Sequence, residues 1–222
     1  MDFEVFETRE RALADNEAAA AQTRADLRAR GAKLVNLMGS PGAGKTTLLL
    51  RLIEALKPLR VGVMEADVDS DVDARTVAQA GAKVIQLHTA GLCHMDADMT
   101  RRGLERLGLD GLDVVFLENI GNLVCPAEFE VGADVRLVIL SVPEGDDKPL
   151  KYPLMFTVSD VMLVNKIDTA PIFDFDFDKA RAAAKTRNPE IVCIPLSAKT
   201  GEGFDPLIAL LKEKIDERRQ GQ

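Results

Sequence analysis

Short apolar runs alternate with longer amphipathic segments along most of this chain. The apolar runs are of strand type and occupy residues 33–39, 60–67, 83–88, 113–119, 135–142, 161–166 and 190–196. Helical patterns occupy residues 44–57, 71–80, 95–108, 175–187 and 203–219, with a less regular one near 149–157. This alternation predicts an α/β fold in which helices cover both faces of a mostly parallel sheet.

Residues 1–30 follow a different pattern from the rest of the chain. They are rich in Ala, Arg and Glu, with a weak helical period and without capping residues. We therefore predict an amphipathic N-terminal helical extension over residues 1–30, followed by one domain over residues 31–222. The chain shows no internal repeat, so a repeat architecture is not expected.

The composition supports a substantial core and narrows the range of partners. Of 222 residues, 46% are hydrophobic, and 28 basic against 36 acidic side chains give a net charge of −8. Without a basic stripe, no nucleic acid partner is expected. Without a signal peptide or an apolar run of membrane-spanning length, no membrane partner is expected. Three cysteines, an odd number, argue against a disulfide framework and predict a cytoplasmic location.

One loop between a predicted strand and a predicted helix carries a phosphate-binding pattern. Residues 39–46 fill every fixed position of G-x-x-x-x-G-K-[ST]. Lys45 would reach the β- and γ-phosphates, and the Thr46 hydroxyl would ligate Mg²⁺. A chance glycine-rich turn is the alternative, but the flanking strand and helix favour binding of a nucleoside triphosphate. The predicted nucleotide contacts here are Gly39, Ser40, Pro41, Gly42, Ala43, Gly44, Lys45, Thr46 and Thr47.

Two later strand ends predict the base of the nucleotide. One apolar strand ends in Asn165-Lys-Ile-Asp168, the N-K-x-D element that reads guanine in GTPases. A carboxylate accepts hydrogen bonds from the ring N–H and the amine of guanine, and adenine offers no such pair. Residues 197–199, Ser-Ala-Lys, are similar to the loop that contacts guanine O6. A helix N-cap is the alternative role for Asp168. The guanine interpretation selects Asn165, Lys166, Asp168, Ser197, Ala198 and Lys199.

Acidic side chains after two other strands are candidates for holding Mg²⁺ and the attacking water. Glu118 ends a buried strand and is followed by Gly121, similar to the D-x-x-G element of GTPases with Glu in place of Asp. The carboxylate could hold Mg²⁺ through water, and the Gly121 amide could meet the γ-phosphate. Residues 65–73 contain five carboxylates. Helix caps or a solvated loop explain most of these, and we choose Asp67 by its position. The predicted catalytic residues are Lys45, Thr46, Asp67 and Glu118, and the last three are the predicted Mg²⁺ ligands.

A third group of side chains is not explained by a nucleotide. Cys93-His94 follows the third strand and Cys125 follows the fourth, so two loops at one edge of the sheet carry two thiols and one imidazole. Each residue alone has a structural alternative, to which we assign Cys193 and His88. Together, Cys93, His94 and Cys125 are a candidate site for Zn²⁺ or Ni²⁺. Such an ion needs a fourth ligand, which a second copy of the chain could supply.

These motifs together resemble a known family. Residues 118–126 read Glu-Asn-Ile-Gly-Asn-Leu-Val-Cys-Pro, and residues 93–97 and 144–153 also match. From about residue 30 to the C-terminus, the chain is similar to HypB, the nickel-incorporation GTPase of hydrogenase maturation. The resemblance implies a three-layer phosphate-loop fold with about seven strands, in the nickel-dimerising branch of these GTPases.

The resemblance also implies a function and a set of partners. The protein would be a slow GTPase and metallochaperone that uses GTP, GDP, Mg²⁺ and Ni²⁺ or Zn²⁺. It would help other maturation proteins to load nickel into the large subunit of [NiFe]-hydrogenase. Cys93, His94 and Cys125 would bind metal near a homodimer interface that forms with GTP. Lys148 would contact nucleotide across that interface.

Two features of the chain differ from those of some family members. It has neither an N-terminal Cys-rich motif nor a His-rich tract, and it has only two His, so nickel storage is not expected. The phosphate loop lacks a lysine near its start, which some relatives use across the dimer. An arginine that stabilises the transition state is not evident, and Arg75 and Arg101 are unsupported candidates.

The order of the motifs predicts a nucleotide-controlled switch. GTP with Mg²⁺ would order the loops after the second and fourth strands, and the latter runs from Glu118 to Cys125. Two alternatives stay open. A urease-type nickel-insertion GTPase would carry Cys-Pro-His, whereas this chain has Cys-His and Cys-Pro at separate places. A regulatory GTPase with structural cysteines would bind no stoichiometric metal.

Overall fold

The computed structural model describes residues 8–67 and 72–217. In these ranges the chain forms β1 (Lys33–Gly39), β2 (Val61–Asp67), β3 (Lys83–His88), β4 (Val114–Glu118), β5 (Val135–Ser141), β6 (Val161–Asn165) and β7 (Val192–Pro195). They make one parallel sheet in the order β3-β2-β4-β1-β5-β6-β7. The predicted fold class is confirmed, and the predicted strand ends agree within two residues.

Helices cover the sheet on both faces. They are α1 (Thr8–Ala29), α2 (Lys45–Ala55), α3 (Val72–Gln79), α4 (Ala97–Leu107), α5 (Cys125–Glu128), α6 (Lys148–Lys151), α7 (Pro153–Val158), α8 (Phe177–Arg187) and α9 (Phe204–Asp216). The helix predicted near 149–157 is split into α6 and α7 because Pro153 begins the second one. The short α5 was not predicted. Residue 71 and residues 218–219, predicted to be helical, lie outside the described residues.

The layers are held together by apolar side chains that alternate between the two faces of each strand. Val35 and Leu37 of β1 pack into a core with α2 and α9, whereas Leu34 packs into a second core with α1 and α4. A third core lies against α7 and α8 and contains Met38 and Phe156. Successive side chains of a strand point to opposite faces, so a continuously apolar strand such as β1 is buried on both sides.

The predicted N-terminal extension includes a long helix that packs on the α/β domain. Helix α1 lies against α4, with Ala20, Thr23 and Leu27 buried at intervals of three and four residues. That spacing is the one expected of an amphipathic helix. Residues 1–7 lie outside the described residues. None of the described helices combines the length and the apolar character that crossing a bilayer requires.

The sheet order determines where a ligand can bind. Strand β1 lies at the centre of the sheet, with β2, β3 and β4 on one side and β5, β6 and β7 on the other, so the strand order reverses next to β1. In open α/β sheets, ligands bind beyond the carboxyl ends of the strands at such a switch point. The loops after β1, β2, β4 and β6 all begin at this edge.

Candidate nucleotide and metal sites

The phosphate loop borders a cavity of about 660 Å³ at the carboxyl edge of the sheet. Gly44, with a φ of 100°, turns the loop into α2, and a Cβ there would lie 2.5 Å from Nδ2 of Asn165. Glycine is therefore required at this position. Nζ of Lys45 donates to the backbone oxygens of Gly39 at 3.4 Å and Ser40 at 3.3 Å. The buried ammonium is thus held within the loop, where it lines the cavity.

Thr46 and Glu118 connect the phosphate loop to β4. Oγ1 of Thr46 donates to Oε1 of Glu118 at 3.1 Å. Glu118 is only 6% exposed, and its Oε2 has no hydrogen-bond partner among the described residues. Buried polar atoms are almost always paired, so an orphan carboxylate oxygen beside a hydroxyl indicates a missing partner. Carboxylate and hydroxyl oxygens suit Mg²⁺, and these two side chains fit that ion.

Glu65 is a candidate that the sequence analysis passed over in favour of Asp67. It lies opposite Glu118 in the pairing of β2 with β4 and is 3% exposed. Burial, together with the nearby Glu118, raises the pKa of Glu65 from 4.5 to about 9. Burial also raises the pKa of Glu118 to about 7, against the opposing effects of Lys45 and Thr46. At neutral pH this pair of carboxyl groups therefore holds at least one proton.

Asp67 ends β2 and lines the same cavity, as do Asp73 and Gln86. Oε1 of Glu65 and Nε2 of Gln86 are buried without a hydrogen-bond partner in the described part of the chain. Asp69 and Asp71, which belong to the predicted acidic cluster, lie outside the described residues. The signal that could have selected Glu65 is its place inside an apolar strand, because an acidic side chain is rarely buried there without a role.

The guanine element and the Ser-Ala-Lys loop meet beside the phosphate loop. Nδ2 of Asn165 donates to the backbone oxygen of Ala43 at 2.9 Å, and Oδ1 of Asn165 accepts from the backbone N–H of Ala198 at 2.9 Å. Oδ1 of Asp168 accepts from Oγ of Ser197 at 2.6 Å. Asn165 therefore joins three loops, and Asp168 keeps its second carboxylate oxygen for a ligand.

A second cavity, of about 280 Å³, lies between these loops. Its lining includes Gly44, Asn165, Lys166, Asp168, Ala198 and Lys199. Lys166 has left-handed backbone, with a φ of 63°, and its Nζ donates to the backbone oxygen of Gly42 at 2.6 Å. The residues predicted to read guanine are thus brought together next to the phosphate loop.

Arg51 is a residue that sequence reasoning missed. From α2 its guanidinium donates to the backbone oxygens of Ala198 and Lys199, both at 2.8 Å, and it lies over the ring of Phe204. It thereby fixes the Ser-Ala-Lys loop to the helix that follows the phosphate loop. No sequence motif marks an arginine at this position, because its partners are backbone atoms about 150 residues away.

Two of the three predicted metal ligands are in contact. Sγ of Cys93 lies 2.7 Å from Sγ of Cys125, and both cysteines are free thiols. The hydrogen bond between the thiols raises the pKa of Cys93 and lowers that of Cys125, and the Asn122 side chain also lowers the pKa of Cys125. Cys93 is exposed and Cys125 is partly exposed. The pair can therefore be reached from solvent.

The third predicted ligand has a different neighbour. The His94 ring stacks on Phe129 with centroids 3.8 Å apart, and its Nδ1 lies 3.9 Å from Sγ of Cys93. Burial lowers the pKa of His94, although Asp96 and Glu128 oppose the shift. The described residues contain no group of three side chains arranged to hold a metal ion. The two thiols are thus in contact and the imidazole lies beside Cys93, but the three side chains are not arranged to hold a metal ion.

Residues 118–125 join the nucleotide cavity to the thiol pair. A Cβ on Gly121 would meet Pro41 of the phosphate loop at 3.0 Å, so the two segments are in close contact. Asn122 forms an antiparallel β-bridge with Gly39, and its Nδ2 donates to the backbone oxygen of Cys93 at 2.9 Å. The nucleotide and thiol regions therefore share one short segment of backbone.

The remaining candidates lie elsewhere. Lys148 begins α6 and lines neither of the two cavities. Arg101 pairs with Asp98 and Glu105 on α4, and Arg75 lies on α3. Cys193 is half-buried in β7, and burial raises its pKa.

The sheet order, the phosphate loop and the N-K-x-D element at the end of β6 define a phosphate-loop GTPase. The family model described as "CobW/HypB/UreG, nucleotide-binding domain" matches residues 33–194. The hydrogenase maturation factor HypB of Azotobacter chroococcum mcd 1 is 45% identical over 204 residues, which are 91% of this chain and 67% of that protein.

Two solved structures have the same architecture. HypB from Helicobacter pylori, in complex with nickel, superposes with a TM-score of 0.86 at 34% identity, covering 91% of this chain and 96% of that one. HypB from Archaeoglobus fulgidus superposes with a TM-score of 0.85 at 38% identity, covering 91% and 100%. The chain belongs to the HypB hydrogenase maturation factors of the CobW/HypB/UreG family, which confirms the predicted resemblance.

Proposed function

We propose that this chain is a GTP-hydrolysing nickel metallochaperone that helps to insert nickel into [NiFe]-hydrogenase, with metal binding coupled to the nucleotide state. The observation that carries the proposal is the continuity of residues 118–125. This segment begins at the Glu118 carboxylate beside Thr46 and ends at the Cys125 thiol beside Cys93. The nickel-bound relative from Helicobacter pylori supports nickel as the cargo.

In the nucleotide site, each side chain has a distinct role. The phosphate loop would bind the phosphates through its backbone N–H groups, and Lys45 would turn from the loop carbonyls to the β- and γ-phosphates. Asp168 would accept hydrogen bonds from guanine. The backbone N–H of Ala198 is already bonded to Asn165, so in this arrangement guanine O6 would be met by other donors of that loop.

Thr46 and Glu118 would hold Mg²⁺, with Asp67 as a further carboxylate at the cavity wall. The ion would neutralise charge on the phosphates while the γ-phosphoryl group is transferred to water. Binding of the ion favours ionised carboxylates, so it opposes the proton that burial keeps on Glu65 and Glu118. Turnover is expected to be slow, because the cavity lining in the described part of the chain includes no arginine that could stabilise the transition state.

At the other end of the segment, Cys93 and Cys125 would bind Ni²⁺ or Zn²⁺. His94 would join them by leaving its stack with Phe129. Three ligands from one chain are too few for these ions, so a second chain would complete the coordination in a homodimer that forms with GTP. Lys148, at the start of α6, would contact nucleotide across that interface.

The chemistry of the two thiols indicates the cellular compartment in which this activity takes place. Free thiols that must release a metal ion require a reducing compartment, which supports a cytoplasmic location. The receiving partner would be the hydrogenase large subunit, reached together with other maturation proteins.

Nickel titration of the purified protein tests the proposal. Wild-type protein should bind Ni²⁺ stoichiometrically, with an affinity that differs between GDP and a non-hydrolysable GTP analogue. Cys125→Ala should lose this binding, whereas Cys193→Ala, which removes a thiol from β7, should keep it. GTP binding should survive in both variants.

Two results would contradict the proposal. Equal nickel affinity in all nucleotide states would remove the coupling between the two sites. Stoichiometric nickel binding that persists in Cys125→Ala would place the metal elsewhere on the protein.

A further inference from the structure

Asn122 contacts both thiol-bearing segments through one side chain. Its Nδ2 donates to the backbone oxygen of Cys93 at 2.9 Å. Its Oδ1 accepts from the backbone N–H of Val124 at 2.7 Å and from that of Cys125 at 3.0 Å. A single amide thus closes the turn before Cys125 and ties that turn to the loop that carries Cys93.

The backbone of Asn122 makes a different contact. It forms an antiparallel bridge with Gly39, the first residue of the phosphate loop. The preceding residue, Gly121, packs against Pro41 of the same loop, where a Cβ would come within 3.0 Å. Any movement of the phosphate loop that displaces Gly39 or Pro41 therefore acts directly on residues 121–122.

A second asparagine, Asn119, also ties the segment to the loop that carries Cys93. Asn119 is 1% exposed, and its Oδ1 accepts from the backbone N–H of Met95 at 3.3 Å. Its Nδ2 donates to Oδ1 of Asn36 in β1 at 3.2 Å. Leu123, only 7% exposed, anchors the far side of the segment in the third core. The two thiol loops are thus pinned to each other at two points, by Asn119 and by Asn122.

We propose that Asn122 is the positioning residue that holds the two thiols next to each other and transmits the state of the phosphate loop to them. Asn119 is buried in the core, whereas Asn122 is partly exposed and lies between the phosphate loop and the thiols. The amide is suited to the task because it donates and accepts at once, which a carboxylate or a hydroxyl cannot do with the same geometry. This inference rests on the proposed function, since it names how the coupling proposed there is carried.

The test uses the full chain without metal and a probe for paired thiols. Phenylarsine oxide condenses with two adjacent thiols to form a cyclic dithioarsenite and releases one water. Its rate of capture reports whether Cys93 and Cys125 are held together. The rate is measured with GDP and with a non-hydrolysable GTP analogue and Mg²⁺, and nucleotide affinity is measured in parallel.

Asn188→Ala is a closely matched control. Nδ2 of Asn188 also donates to a distant backbone oxygen, that of Ser159, at 2.9 Å, and its Oδ1 also accepts from the N–H two residues later, at 3.0 Å. It lies at the end of α8, outside the segment that joins the two sites. A general effect of removing a loop asparagine would appear in both variants.

The expected results separate positioning from mere folding of the loop. Wild type and Asn188→Ala should capture the arsenical at rates that differ at least about threefold between the two nucleotide states. Asn122→Ala should capture it at least about tenfold more slowly, with equal rates in both states and unchanged nucleotide affinity. Asn122→Asp keeps the acceptor for Val124 and Cys125 but loses the donor to Cys93, so it should also be slow.

Two results would overturn the inference. One is capture by Asn122→Ala at the wild-type rate, and the other is a nucleotide dependence that survives in this variant. An Asn122→Asp variant that behaves as wild type would show that the bond to Cys93 is not needed. If wild type binds no Ni²⁺ while the arsenical results are as expected, the proposed function fails and the positioning role stands.

Discussion

The nucleotide end and the thiol end of residues 118–125 are built in opposite ways. At the nucleotide end, Lys45 and Glu118 are buried and are hydrogen-bonded to the loop and to Thr46. At the thiol end, Cys93 is exposed, and His94 stacks on Phe129 with its Nδ1 3.9 Å from Sγ of Cys93. The nucleotide end is buried and internally hydrogen-bonded, whereas the thiol end is accessible, and the described residues there form no group of three side chains arranged to hold a metal ion.

The difference agrees with the roles that the proposed function gives to the two ends. Phosphate binding needs donors held in fixed directions, which the ends of central strands and a helix N-terminus provide. A site that accepts and releases a metal ion needs open access and ligands that can rearrange. Four variants test this difference, three in the nucleotide site and one beside the thiols.

Lys45→Ala should impair nucleotide binding and turnover at the nucleotide end. The ammonium is the charge within the phosphate loop, so its loss should lower GTP turnover by about 10²–10³-fold and weaken triphosphate binding. Fluorescent nucleotide titration and phosphate release measure the two effects. Lys212→Ala, on the exposed face of α9, should be neutral. Turnover at the wild-type rate would remove the phosphate loop from the mechanism.

Asp168→Asn should change which base is accepted. The carboxylate accepts from two guanine donors, and an amide in its place presents a donor to one of them. GTP affinity should fall by about 100-fold and xanthosine triphosphate should become preferred. Competition binding with the two nucleotides decides the outcome. Wild-type protein in which ATP competes as well as GTP would show that the guanine interpretation is wrong.

Glu65→Gln should stabilise the nucleotide-free protein increasingly as pH rises. The folded-state pKa of Glu65, about 9, exceeds the ordinary 4.5, so its contribution to stability is present below pH 4.5 and is lost as pH rises toward 9. Because Gln cannot ionise, the variant should match wild type near pH 4.5 and exceed its free energy of unfolding by about 1–3 kcal/mol at pH 8.

Urea unfolding at the two pH values tests this effect. Glu190→Gln, at an exposed position before β7, is the matched control and should show no pH-dependent difference. A gain of the same size at both pH values would assign the effect of Glu65→Gln to packing and not to ionisation.

Phe129→Ala should affect only the thiol end. Burial lowers the pKa of His94, so removing the stacked ring should return that pKa toward its ordinary value or above it, because Asp96 and Glu128 favour the charged form. Proton NMR titration of the His94 side chain measures the change. A His94 pKa that stays where it was would show that other groups desolvate the ring. GTP binding should not change.

Much of the nucleotide site could be predicted because its determinants are local. The residues of the phosphate loop are consecutive, and strand β1 and helix α2 follow from the apolar pattern on either side. The guanine element and the Ser-Ala-Lys loop could be placed at the same edge, because parallel strands end there. The sequence marked Glu65 as an acidic residue inside an apolar strand, but it did not show the pairing of Glu65 with Glu118 or the contacts of Arg51. Glu65 of β2 lies opposite Glu118 of β4, and Arg51 donates hydrogen bonds to two backbone oxygens far along the chain. Both contacts depend on the tertiary structure.

The metal region was predicted only in part. The sequence placed Cys93 and Cys125 on loops at one edge, and the structure brings their sulfurs to 2.7 Å. The sequence alone did not show that His94 stacks on Phe129 or that α5 begins at Cys125. Stacking depends on the position of a loop 35 residues later in the chain, and so short a helix has no hydrophobic period to detect.

The class of fold, the phosphate loop and the predicted guanine element could be read from the sequence, because each depends on residue types at short, regular spacing. Two other features arise only in the folded chain: Asn122 contacts both Cys93 and Gly39, and Glu65 pairs with Glu118 as buried carboxyl groups. These contacts join segments that are distant in sequence. Their geometry depends on the order and register of the strands, which no local pattern encodes.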